Sequence, residues 1–104
     1  MPHIANTLES RMTTLNQLCE EFTQAERLAQ GELARNRARF EQKLPYLGIP
    51  EAVKTFRINV TLMNLASEIL EMPGLSEEAL ARVGRVHQSA QRYFQANQRE
   101  GMAL

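Results

Sequence analysis

The chain has 104 residues, and its 12 Lys and Arg balance 12 acidic residues for a formal net charge of zero. An apolar content of 43% is ordinary for a soluble globular protein, and the single cysteine excludes an internal disulfide. No apolar run approaches a membrane span, and Met-Pro-His-Ile-Ala-Asn lacks the basic start and apolar core of a signal peptide, so a cytoplasmic protein is expected.

Residue types set the fold class. Every acid is Glu, ten of the bases are Arg, and neither Asp nor Trp occurs. Glu and Arg favour helix interiors, whereas Asp favours caps and turns. β-Branched residues are scattered and nothing alternates with period two for long, so an all-α fold is expected.

The first predicted helix runs from about Asn6 to Lys43. Asn6 and Glu9 have capping-box spacing, and no proline interrupts the chain between His3 and Leu44. At 100° per residue, Ile4, Leu8, Met12, Leu15, Cys19, Phe22, Ala29, Leu33, Phe40 and Leu44 fall within one narrow arc. Gly31 costs about 1 kcal/mol relative to Ala inside a helix, and a break there would make a four-helix bundle. The stripe keeps its phase across Gly31, which favours one continuous helix. Within it, Leu8-Glu9-Ser10-Arg11-Met12-Thr13-Thr14-Leu15-Asn16-Gln17-Leu18-Cys19 resembles the opening helix of the PriC family of bacterial replication-restart proteins. The resemblance covers that segment alone, and no site residue is carried over from it.

Pro45, Gly48 and Pro50 mark a compact turn. The second helix is predicted from Glu51 to Met72. It is apolar on two sides, with Val53, Phe56, Val60, Met63 and Leu70 on one and Ile58, Leu62, Leu65, Ile69 and Met72 on the other. A helix of that kind sits between neighbours. Pro73-Gly74 stops it, and Ser76 is the expected N-cap of a third helix reaching Asn97, with residues 98–104 as a frayed tail. Glu77 and Glu78 suit the positive end of the helix dipole, and Leu75 and Leu80 have hydrophobic-staple spacing. The expected buried face comprises Leu80, Val83, Val86, Ala90, Tyr93 and Phe94.

Short connections make successive helices antiparallel neighbours. The expected architecture is an antiparallel three-helix bundle in which a long N-terminal helix overhangs a shorter αα-hairpin. Helices 2 and 3, each roughly 32 Å long, would cover Phe22 to Leu44. Ile4, Leu8, Met12, Leu15, Leu18 and Cys19 would remain as a partner interface. Glu26 and Arg37 share the centre of the stripe and form a candidate register pair for an antiparallel homodimer. The bland alternative is that both charges reach solvent along the helix surface.

This topology also separates charge. Arg35, Arg37, Arg39, Lys43, Lys54, Arg57, Arg92 and Arg99 gather at one pole, and Glu9, Glu20, Glu21, Glu68, Glu71, Glu77 and Glu78 lie in the opposite half. Arg35, Arg39, Lys43, Arg82, Arg85, Arg92 and Arg99 are candidate anion or nucleic-acid contacts, although Tyr46 alone offers base stacking near the basic pole. A solvated Arg face is the favoured reading of helix 3.

No catalytic constellation emerges. Cys19 is flanked by Glu20 and Glu21, which would raise its thiol pKa. His87 reads as a partly buried structural residue. No metal-ligand spacing, phosphate loop or dinucleotide turn occurs, so neither metal nor cofactor is expected. Asn59-Val60-Thr61 matches a glycosylation sequon by coincidence, within a helix. The expected function is a non-enzymatic interaction module, such as an adaptor, regulator or inhibitor, acting as a homodimer, on another protein, or both. The alternative is an accessory protein for nucleic-acid transactions.

Overall fold

The computed structural model describes residues 7–103, with side chains described through residue 98. Ile4 and Asn6 lie outside the described residues, as does the side chain of Arg99. Three helices form an all-α bundle: α1 (Leu8–Glu41), α2 (Pro50–Leu70) and α3 (Glu77–Ala103). No strand occurs among the described residues.

α1 passes through Gly31 without a break. Its cap is Thr7, one residue later than the expected Asn6: the Thr7 hydroxyl accepts from the Ser10 amide at 3.0 Å. The C-terminus closes with Lys43 in the left-handed region at φ 59°. There the Leu44 amide donates to the Arg39 carbonyl at 2.8 Å and the Lys43 amide to the Phe40 carbonyl at 3.0 Å. This is a Schellman pattern built without the usual glycine.

α2 is the central element, packed antiparallel to α1 on one side and to α3 on the other. The cross-contacts fix both registers. Glu32 meets Glu51 and Ala52 while Arg11 meets Glu68, and Asn59 meets Ala90 while Phe56 meets Phe94. The core joins Leu15 of α1 to Leu62, Ala66 and Ile69 of α2 and Val83 of α3. Ala25, Ala29, Ala66 and Ala90 are buried small residues that bring neighbouring helices close. α1 and α3 touch through side chains, with no backbone approach within 8 Å.

α3 starts at the expected cap: the Ser76 hydroxyl accepts from the Ala79 amide at 3.1 Å. The staple does not close, because Leu75 packs on the core while Leu80 is largely exposed. Val53, expected on a buried face of the second helix, is also exposed. The helix continues to Ala103 rather than ending at Asn97. Gln95 to Glu100 contains no breaker to stop it.

The overhang is at the other end from the one expected. α2 begins beside Glu32 because residues 44–49 fold back along α1. α2 therefore covers α1 from about Arg11 to Glu32, and the last turns of α1 project beyond its start. The bundle is 55 Å long, close to the roughly 51 Å that 34 helical residues span.

Candidate docking surface

One face of α1 has two fates. Leu15, Phe22, Leu33 and Phe40 share an arc at 100° per residue. Leu15 is fully buried, and Phe22 packs edge-on against Tyr93 with ring centroids 5.1 Å apart. Leu33 is 50% exposed and Phe40 65%. Both residues, expected under the cover of helices 2 and 3, face solvent because α2 starts beside Glu32.

The linker completes this surface, and α1 holds it in place. The Asn36 side chain brackets Leu47, accepting from its amide at 2.8 Å and donating to its carbonyl at 3.1 Å. The Arg39 Nε donates to the Pro45 carbonyl at 2.7 Å. Between these ties Tyr46, 67% exposed, stacks on Phe40 at a centroid distance of 6.4 Å and an interplanar angle of 19°. An open groove of about 540 Å³ runs past Leu33, Arg37, Phe40, Tyr46, Leu47 and Ile49. Leu44 and Leu47 are also largely exposed.

A carboxylate that sequence reasoning missed fixes the end of this groove. Glu32 is buried, and its two oxygens accept from the amides of Glu51 and Ala52, each at 2.9 Å. These are first-turn amides of α2, whose own N-cap residue, Ile49, supplies no side-chain bond. A helix starting Ile-Pro needs a foreign acceptor for its first amides. That absence of a local cap was the available signal.

The described residues of the expected interface near the start of α1 pack wholly or partly against the chain's own core. Leu15 is core, and Leu8, Met12, Leu18 and Cys19 are half-buried against it. Burial pushes the Cys19 thiol above its ordinary value, with the Arg82 charge opposing the shift. Desolvation is thus the leading cause, where the sequence pointed to Glu20 and Glu21.

Glu26 and Arg37 flank separate grooves. Glu26 is half-buried in a cleft between α1 and α3, and Arg37 is exposed beside the Phe40 groove. The candidate anion contacts are likewise divided. Arg35, Arg39 and Lys43 stand at the C-terminal end of α1, whereas Arg82 and Arg85 line the α1–α3 cleft. Arg82 donates to Asn16 across that cleft, so α3 does not present all its arginines to solvent alone. Arg92 is exposed.

The remaining polar groups have structural surroundings. Asn59 is buried and donates to the Ala90 carbonyl at 2.8 Å, which closes it to glycosylation in the folded chain. His87 is half-buried. Among the described residues, no group of three or more His, Cys or Glu is placed to hold a metal ion. Among the same described residues, no helix is long and apolar enough to cross a membrane.

Comparison with protein-family models, curated proteins and solved structures returned no match to this chain. The resemblance at Leu8–Cys19 therefore carries no family assignment.

Proposed function

We propose that this chain is a non-enzymatic helical interaction module, a small adaptor, regulator or inhibitor, that docks through the C-terminal end of α1. The observation that carries the reading is the contiguous exposure of Leu33 and Phe40 on α1 with Leu44, Tyr46 and Leu47 on the linker pinned to it. Clustered apolar exposure marks an interaction surface where scattered exposure does not. Pinning matters because a preorganised surface loses less freedom on binding. The lone cysteine suits a reducing compartment such as the cytoplasm.

Charge selects the partner. From Leu33 to Leu47, Arg35, Arg37, Arg39 and Lys43 face only Glu41, a local excess of three positive charges in a neutral chain. Two copies meeting through this end would oppose like charges. A segment of another protein with apolar anchors and flanking carboxylates fits instead. The exposed Phe40–Tyr46 stack among bases favours a second reading, a single-stranded nucleic acid.

Two designed helical peptides of equal apolarity, one Glu-rich and one Lys-rich, separate these readings when titrated beside a single-stranded oligonucleotide. The Glu-rich peptide should bind, weaken with salt, and lose roughly 30-fold in affinity with Phe40→Ala, the magnitude of an aromatic hot spot. Oligonucleotide binding lost with the same substitution would favour the second reading. Failure of all three ligands to bind would remove both.

A further inference from the structure

The cleft between α1 and α3 has opposite charges at its two ends, and from this geometry we infer that it is an interface with a second copy of the chain. α1 and α3 both pack on α2 but have no backbone approach to each other within 8 Å, leaving a cleft of about 600 Å³ floored by Leu62. Its walls are largely apolar, with Phe22 and Cys19 on α1 and Val86 and Tyr93 on α3. The bond from Arg82 to Asn16 places one guanidinium at the level of α1 residue 16, and Arg85 lies one turn further along α3. Glu26 sits roughly 15 Å further along α1 at 1.5 Å per residue. Among the described residues, neither Glu26 nor Arg85 has a carboxylate or basic partner within 4 Å, and the ion pair present is Arg11–Glu68.

A face with one sign at each end is complementary to itself under a two-fold axis. An axis crossing the cleft near Phe22 lays α1 of one copy antiparallel on α1 of the other. Each Glu26 then falls beside the other copy's Arg82, and the two Cys19 residues flank the axis. The requirement is met by symmetry alone, with no assumption about a foreign sequence. The apolar end of α1 differs on this point, because its excess positive charge opposes a copy of itself. Glu26 is still the register residue of a dimer in this arrangement, but its partner is Arg82 rather than Arg37.

Mixing charge-reversed chains tests the inference independently of the α1 end. E26R makes the cleft uniformly positive, and the double variant R82E/R85E makes it uniformly negative. Light scattering should show a dimer for the parent chain and at least tenfold weaker association for each variant alone. An equimolar mixture of the two should recover the dimer to within about threefold of the parent. A monomeric parent at millimolar concentration would overturn the inference, as would a dimer indifferent to both reversals. Circular dichroism confirms that the variants fold. A second measurement needs no substitution. A short bis-maleimide should link parent chains through Cys19, and monomeric product under conditions where a mono-maleimide labels Cys19 fully would also overturn the inference.

Discussion

Replacing Glu32 with alanine should destabilise the fold by about 2–3 kcal/mol. Its carboxylate is 6% exposed and accepts from the Glu51 and Ala52 amides at 2.9 Å each. A hydrogen bond to a charged acceptor contributes about 1.5–3 kcal/mol, but these two share one side chain and do not add fully. Removing an N-cap acceptor costs about 0.5–2 kcal/mol, and loss of a negative charge at the helix N-terminus adds about 0.3–1 kcal/mol. Relief of the carboxylate's desolvation acts in the opposite direction, which keeps the total below the sum. Both amides belong to half-buried residues, so water replaces the lost acceptor only if α2 frays. With a urea m-value near 2 kcal/mol/M, the midpoint should fall by about 1–1.5 M. Hydrogen exchange at Glu51 and Ala52 should accelerate more than at Ala66 in the core. Glu32→Gln retains one acceptor and should cost about half as much. A midpoint within about 0.2 M of the parent, with unchanged exchange at those two amides, would show that α2 does not depend on this cap.

Other substitutions test separate parts of the structure. Leu15→Ala should cost about 2–5 kcal/mol by equilibrium unfolding, because the side chain is fully buried in the joint core, whereas Leu28→Ala on the exposed face should stay within about 0.5 kcal/mol. Equal costs at the two positions would contradict the register of α1. Gly31→Ala should stabilise by about 1 kcal/mol, since an added Cβ would meet only Arg35 Nη1 at 3.6 Å, an ordinary contact. A melting temperature raised by about 4–8 °C is the expected reading, and a lowered one would indicate a bend that needs glycine. Iodoacetamide should alkylate Cys19 with a pH midpoint above that of free cysteine, and Arg82→Gln should move that midpoint higher by removing the opposing charge. A raised thiol pKa gives stability that is present below the unfolded value, about 8.5, and lost as pH rises through the folded value. The parent should therefore lose more stability than Cys19→Ala between pH 8 and 10.

The elements legible in the sequence were those determined locally. Ser76 caps α3 because its hydroxyl reaches an amide three residues ahead, a contact written into Pro-Gly-Leu-Ser-Glu-Glu. The two apolar sides of α2 announced a central helix because periodicity does not depend on which neighbour covers each side. Glu32 was hidden for the opposite reason. Its partners lie 19 and 20 residues away, and an isolated Glu on a Glu-rich helix has no local signature. Phe40 and Leu33 were misplaced because the stripe states which face is apolar but not which part of that face is covered.

Coverage is decided by register, and register here is decided by the linker. A tight turn after Lys43 would bring Pro50 back beside the last turn of α1 and leave the start of α1 bare. Instead the Schellman closure at Lys43 turns the chain, and Asn36 and Arg39 hold Leu47 and Pro45 alongside the helix. α2 consequently starts about 16 Å further back along α1, reckoned at 1.5 Å per residue from Lys43 to Glu32. That displacement carries Leu62, Ala66 and Ile69 onto Leu15 and buries the N-terminal stripe. It also strips Leu33 and Phe40 of cover and places them among Arg35, Arg37 and Lys43. The buried core and the exposed basic-aromatic end are thus two results of one register. A substitution that releases the linker, such as Asn36→Ala, should perturb both, and hydrogen exchange at the Leu47 amide alone would read the release directly.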